Sequence, residues 1–310
     1  MKLIFSFSCI AALLLQLPLY GQTNLVKEYV DENLYEAKQE EAKYFRIASV
    51  DKNNNMNGIA EYYYLNNDSY ARNLFAKGKF EKNCRTGKWE WWYADGKSKE
   101  VGYFEKRPTF YEPKKAFSNE SLDYTYRIES FWDSTGVQHV INGNGEALYT
   151  ENGIVLGKGN YQNGLKQGEW KGAYLMSNDE GYMHFTESYN KGELVTGVSH
   201  DKNGKSYTYD VLEILPEPKG GINGLMRYLM KSLRYPIQAR RKGIEGKAIV
   251  QFYVDKDGTI SDVELLQGVG GGCDEEAIRV VKESPKWTAA VHRGQKVKVR
   301  MTLPIVFQLG

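Results

Sequence analysis

Five residues of this chain recur as a set. Gly78, Phe80, Gly87, Trp89 and Tyr93 return as Gly159, Tyr161, Gly168, Trp170 and Tyr174, each 81 positions on. The shared pattern is Gly-x-aromatic, six residues, Gly-x-Trp, three residues, Tyr. Partial copies stand at Gly58 to Tyr62, Gly145 to Tyr149 and Tyr189 to Gly204. Between them lie Ala94-Asp95-Gly96, Glu151-Asn152-Gly153 and Lys202-Asn203-Gly204. Asp-Gly and Asn-Gly between aromatic-rich runs are strong hairpin signals. An internal repeat of this kind predicts hairpins that stack their aromatic faces, none of them stable alone. The 23 Tyr and 31 Gly of the chain suit short strands and tight turns. The aromatics recur at repeat spacing, so they read as packing residues rather than as a sugar- or peptide-binding groove.

A second constraint lies at the other end. From Lys296 to Leu309 the residues Val297, Val299, Met301, Leu303, Ile305, Phe307 and Leu309 occupy alternate positions. Lys296, Lys298, Arg300, Thr302 and Gln308 fall between them. Side chains of a strand alternate faces, so this predicts one long antiparallel strand, apolar on one face and basic on the other. Pro304 cannot donate to a ladder, which argues for the edge of a sheet. A long exposed edge is a hazard unless something uses it.

The residues before that strand complete a small domain. Residues 211–224 carry the turn residues of a linker. Leu225, Met226, Leu229, Met230 and Leu233 keep helical spacing, and the helix stops ahead of Pro236. Lys247 to Val254 alternates as a strand, Asp255-Lys-Asp-Gly258 turns it, and Thr259 to Gln267 returns as a second strand. After the glycine run 268–272 comes a second helix, with Asp274 as its expected N-cap and Ala277, Ile278 and Val281 on its apolar stripe. Pro285 ends it. The order is helix, strand, strand, helix, strand. The fold class expected is therefore α+β: a β-hairpin repeat region, then two helices packed on a three-stranded antiparallel sheet.

Residues 1–22 read as a targeting segment. Lys2 precedes an interrupted apolar run from Leu3 to Leu19, and Gly21 supplies a small residue for cleavage. The run is short for a spanning helix, so a cleaved export signal is expected, with an uncleaved anchor as the alternative. Cys9 lacks a Leu three residues before it and does not resemble a lipid-attachment cysteine. Residues 23–56 form a lead-in with little periodic signal, containing a short helix-compatible run, Glu36 to Ala42, and a strand from Tyr44 to Val50. The repeats then span 57–210, the linker 211–224 and the last domain 225–310.

A net charge of +2 gives no reason to expect nucleic acid. Charge is nevertheless uneven: residues 211–310 carry 16 Lys+Arg against 11 Asp+Glu, the remainder 25 against 28. Cys84 and Cys273 fall in different expected domains, and their spacing neither requires nor excludes a disulfide. His139, His184, His200 and His292 lack metal-ligand spacing. The glycine run is followed by no acidic residue at dinucleotide-binding distance, and reads as a strand-to-helix turn rather than a phosphate loop. Asp255-Lys-Asp-Gly258 lacks the further acids of a calcium loop. Without a nucleophile–base signature such as Gly-x-Ser-x-Gly, no enzyme and no cofactor is expected.

Two resemblances refine this reading. The Gly/aromatic spacing of residues 57–205 resembles MORN-like repeats of the YwqK type, common in secreted and envelope proteins. A series of motifs in 213–310 is similar to the C-terminal domain of the TonB energy-transducer family. They are Tyr235-Pro236, Ala239, Gly243-Ile-Glu-Gly246-Lys247, Phe252-x-Val254-Asp255-x-Asp257-Gly258, Glu276-Ala277, Ser284-Pro-Lys-Trp287 and Leu303-Pro304-Ile305-x-Phe307. The resemblance implies a periplasmic domain that grips the TonB box, a short peptide of outer-membrane TonB-dependent transporters. It implies a peptide-binding edge on the last strand, here Val297, Lys298, Val299, Arg300, Met301, Thr302 and Leu303. The corner Tyr235-Pro236 falls where the family's domain begins its fold.

The family's transducers keep an N-terminal membrane anchor driven by the ExbB–ExbD proton channel, and a Pro-rich spacer. Here the first segment looks cleavable and hairpin repeats fill the spacer's place. ExbB–ExbD is thus an expected partner only if residues 1–22 are retained. The leading expectation is a TonB-type protein of the periplasm or cell envelope that supports transport through outer-membrane receptors. The alternative is a non-energised envelope scaffold whose repeats bind a protein or cell-wall partner.

Overall fold

The computed structural model describes residues 24–31, 34, 37, 39–52, 55–65, 73–106, 124–175 and 181–309. The expected targeting segment lies outside them. The first unit is one antiparallel meander: β1 Asn24–Val30, β2 Tyr44–Val50, β3 Met56–Tyr64, β4 Leu74–Glu81, β5 Cys84–Trp92, β6 Ser98–Lys106 and β7 Tyr124–Trp132. It continues through β8 Gln138–Ile141, β9 Asn144–Glu151, β10 Ile154–Gln162, β11 Leu165–Leu175, β12 Tyr182–Asn190, β13 Glu193–His200 and β14 Ser206–Tyr209. Every strand pairs with its sequence neighbours, giving a single 14-stranded sheet. Its first two strands lie ahead of residue 57, where the repeat becomes legible in the sequence.

The repeat has a packing cause. Gly78 on β4 faces Trp89 on β5, and Gly159 on β10 faces Trp170 on β11. A Cβ on Gly78 would stand 2.1 Å from the indole, and one on Gly159 2.4 Å. Only hydrogen leaves room for a tryptophan laid across the neighbouring backbone. Each indole N–H then reaches a carbonyl of the strand it covers, Lys79 and Asn160, at 3.2 Å in both cases. The aromatic of Gly-x-aromatic meets the same indole edge-on, Phe80 at 5.3 Å and Tyr161 at 5.0 Å between ring centres. The second glycine has another role. Gly87 and Gly168 have φ of +64° and +69°, the left-handed region, next to register shifts in both hairpins. The buried aromatics gather into two clusters, one around Tyr62, Phe80 and Trp89, the other around Phe131, Tyr161 and Trp170.

The second unit comprises β15 Glu213–Ile214, α1 Gly221–Ser232, α2 Ile237–Lys242, β16 Gly246–Val254, β17 Ile260–Gln267, α3 Cys273–Lys282, β18 Ala290–His292, β19 Gln295–Val297 and β20 Val299–Phe307. One sheet has the order β17-β16-β20; β15, β18 and β19 form a second. The core joins Leu225 of α1, Ala277, Val280 and Val281 of α3, and Val250, Phe252, Ile305 and Phe307 of the larger sheet. The expected two helices on a three-stranded sheet are there, with a short α2 in addition.

Several sequence expectations need correction. The expected continuous strand from Lys296 to Leu309 is two strands that change sheets at Lys298. The reason is local: the Lys298 ammonium turns back to Asp262 at 2.7 Å and Asp255 at 3.3 Å, and lies over the Tyr253 ring. Asp274 does not cap α3; Gly272 occupies that position. The Asp274 carboxylate instead accepts the N–H groups of Val269 at 2.6 Å and Gly270 at 3.2 Å, and so holds the glycine loop itself. Helix α1 begins at Gly221, four residues ahead of the apolar stripe. The expected linker is stitched down: Glu213 pairs with His292, Thr288 donates its N–H to the Glu217 carbonyl, and Arg293 donates to that of Leu212.

Two motifs noted separately in the sequence prove to be one structure. Gly258 closes the β16–β17 turn, and a Cβ there would stand 1.9 Å from the Trp287 carbonyl oxygen. Trp287 donates its N–H to the Gly258 carbonyl at 2.9 Å, and Lys286 reaches Asp257 at 2.8 Å. The Trp287 indole then packs edge-on to Phe252. Cys273 is buried in this core, Cys84 lies on β5, and both thiols are free.

Candidate functional site

Strand β20 pairs with β16 along one side, and no strand of its sheet lies on the other. The register sets Pro304 opposite Ile249, Thr302 opposite Gln251 and Arg300 opposite Tyr253. Antiparallel pairs alternate between hydrogen-bonded and non-hydrogen-bonded. Proline has no N–H, so the Pro304 pair is of the second kind. The even-numbered residues of β20 therefore turn their backbone groups away from β16. Arg300, Thr302 and Val306 offer an N–H and a carbonyl to the open side, and Pro304 offers a carbonyl alone.

The residues expected to bind peptide divide accordingly. Val299, Met301 and Leu303 send their side chains into the core and their backbone groups to β16. Val297 belongs to β19 and pairs with Ala290. Lys298 and Arg300 are held inside the fold. Lys298 is raised in pKa chiefly by its bond to Asp262, and Arg300 bonds Asp31, at the end of β1, at 2.5 Å. Thr302 is exposed on the open edge. Val306, 58% exposed and also on this edge, lies beyond the stretch singled out from the sequence. Its alternation was readable, but the outward direction of its backbone follows only from the register at Pro304.

Tyr235 and Pro236 lie together between α1 and α2. The Tyr235 hydroxyl donates to the Ile244 carbonyl at 2.6 Å, and its ring stands edge-on to Phe307. Pro236 is the N-cap of α2 and packs beside Gly272. The corner thus fixes the C-terminal end of β20 from behind.

The two units meet through the β18–β19 hairpin. Its tip, Arg293-Gly294, has φ of +48° and +79°, and Gly294 rests on Tyr207 and Tyr209 of β14. The Arg293 guanidinium lies over the rings of Phe185 and Tyr174 and bonds Glu187 at 2.7 Å. Glu187 is fully buried on β12 and also accepts the hydroxyls of Tyr189 and Tyr209, at 2.9 and 2.8 Å. Gln295, buried, donates to Tyr174 and to Ser199. Tyr174 is the repeat's terminal tyrosine, and here that position serves the second unit.

Among the described residues, no group of three or more His, Cys, Asp or Glu could hold a metal ion, and no helix is long and apolar enough to cross a membrane.

A small α+β domain with its last strand at an open sheet edge is the class defined by this geometry. Residues 231–309 match the family described as Gram-negative bacterial TonB protein C-terminal. That segment is a TonB-type C-terminal domain, the domain of energy transducers of the bacterial envelope that engage TonB-dependent outer-membrane receptors. No curated protein and no solved structure matches the chain.

Proposed function

We propose that the protein works in the periplasm, where β20 takes the TonB box of an outer-membrane transporter as an added strand and so supports transport. The open edge from Arg300 to Val306 carries this reading. A peptide strand there would make about five backbone hydrogen bonds, each contributing roughly 0.5–1.5 kcal/mol net. Association entropy offsets much of this, so a Kd on the order of micromolar is expected. The role is one of binding, without catalysis or cofactor. ExbB–ExbD would be a partner only of a form that keeps residues 1–22 as an anchor. The test is titration of TonB-box peptides from transporters of the same organism against the purified chain. Saturable micromolar binding, with backbone protection spreading along β20, supports the proposal; absence of binding by every peptide refutes it.

A second reading, an envelope scaffold, draws on the buried contact between Arg293 and the repeat sheet, which builds the domain into a larger surface. Deleting the gene separates the two. A transducer's loss abolishes uptake of a receptor's cargo, whereas a scaffold's loss leaves uptake intact and disturbs envelope integrity.

A further inference from the structure

A cleft of about 590 Å³ opens where the two units meet. Lys202, Asn203 and Lys205 border it from the β13–β14 turn, Lys256 from the β16–β17 turn, and Gly294, Gln295 and Lys296 from the β18–β19 hairpin. Buried Met183 and Gln295 form its fixed floor. Four ammonium groups thus face one carboxylate, Asp201. That carboxylate is already occupied: it accepts the N–H groups of Asn203 at 2.9 Å and Lys205 at 3.0 Å, and the Tyr207 hydroxyl at 3.1 Å. Lys205 is held over the Tyr207 ring. The cleft is a concentration of positive charge that the fold leaves largely uncompensated.

Its position relative to β20 gives it a use. Lys296 precedes Val299 by three residues, about 10 Å at roughly 3.3 Å per residue. His292 and Gln295 flank the two-residue turn of the hairpin, where the closing pair is hydrogen-bonded, so Gln295 and Val297 turn their backbone groups to β18. Lys296 therefore faces the same open side as Arg300 and Thr302. A strand lying along β20 and continuing past Val299 enters the cleft within three or four residues.

We propose that Lys202, Lys205, Lys256 and Lys296 bind an acidic stretch of the same peptide that adds to β20. The proposal rests on the reading of β20 as a peptide-binding edge. It moves the electrostatic contact away from Lys298 and Arg300, which Asp255, Asp262 and Asp31 already occupy. It also gives the repeat sheet a direct part in receptor recognition, since Lys202 and Lys205 belong to it.

The test uses the full mature chain and three versions of one TonB-box peptide: flanks neutralised with Ser and Gly, four Asp added at the N-terminal end, and four Asp added at the C-terminal end. One tailed peptide should bind about tenfold tighter than the neutral one in 50 mM NaCl, and 0.5 M NaCl should remove the gain. The end that gains reports the peptide's direction on β20. Lys202→Glu/Lys205→Glu should abolish the gain while leaving the neutral peptide's affinity unchanged. Lys52→Glu/Lys79→Glu, the same charge change elsewhere on the sheet, should keep it. If the neutral peptide binds but neither tail improves binding, or if the gain survives Lys202→Glu/Lys205→Glu, this site is refuted and the edge reading stands. If wild type binds none of the three, both fall together.

Discussion

The guanidinium of Arg293 and the carboxylate of Glu187 meet at 2.7 Å across 106 positions of sequence. They tie a hairpin of the TonB-type domain to the middle of a β-strand in the repeat sheet, where Glu187 has no exposed side-chain surface. Removing one member of such a pair leaves an uncompensated buried charge, which typically costs 3–5 kcal/mol. Arg293→Met should destabilise the chain by about 3 kcal/mol, the low end, because Tyr189 and Tyr209 still donate to the carboxylate. Adding Glu187→Gln should recover part of the loss. Urea denaturation of both variants checks this. A double mutant less stable than Arg293→Met would contradict it.

The two repeat glycines should respond differently to alanine. Gly159→Ala drives a methyl into the Trp170 ring and should destabilise by about 1–3 kcal/mol through overpacking. Gly168→Ala meets open space and loses only the left-handed backbone preference, about 1 kcal/mol. Tryptophan fluorescence separates them further, since only the first should disturb the emission of Trp170.

Proline substitutions on β20 report which way its backbone points. Met301→Pro removes an N–H directed at Phe252 of β16 and should unfold the domain. Thr302→Pro removes one directed at the open side. It should stay folded by circular dichroism and bind TonB-box peptides more weakly. If Met301→Pro is the tolerated one, the assignment of the open groups is reversed.

Lys166 sits over the rings of Trp170 and Tyr189, and burial lowers its pKa to about 8; Glu187 and Glu100 only partly oppose the shift, and Arg293 adds to it. Its folded pKa lies below the unfolded one, so between about pH 8 and the ordinary lysine value near 10.5 the unfolded chain binds the extra proton. Stability contributed through this group is therefore lowest below pH 8 and rises as pH increases through that window. The difference in melting temperature between wild type and Lys166→Met should move in favour of wild type from pH 7.5 to pH 10. A constant difference would show that the amine is not buried in solution.

Much of this molecule was readable from sequence because its signals are local. Gly-x-aromatic and Gly-x-Trp marked the hairpins, since a tryptophan across a glycine needs only two neighbouring strands. The alternation from Val299 to Phe307 gave both the core face of β20 and, through Pro304, its edge position. What escaped is set by contacts distant in sequence. The lead-in strand Asn24–Val30 has a weak pattern of its own and is ordered by β2. The β18–β19 turn is Arg-Gly, without the usual Asn or Asp, and its anchor Glu187 lies in another unit. Lys298 and Arg300 read as an exposed basic face because their carboxylate partners, Asp255, Asp262 and Asp31, are brought in only by the fold.

The pairing of each strand with its sequence neighbours alone has a mechanical consequence. Tension applied between the start of such a sheet and the domain after it loads the strands one pair at a time rather than all together. Two strands of nine residues, released, would lengthen the chain by roughly 60 Å at about 3.3 Å per residue. Stability in an array of this kind is shared only between adjacent units, so yielding of one hairpin leaves those beyond its neighbours intact. A peptide pulled along β20, by contrast, would load the β16–β20 ladder in shear, all its bonds at once. The end of the chain that would hold the receptor is thus the stiff one, and the repeats are the part that gives.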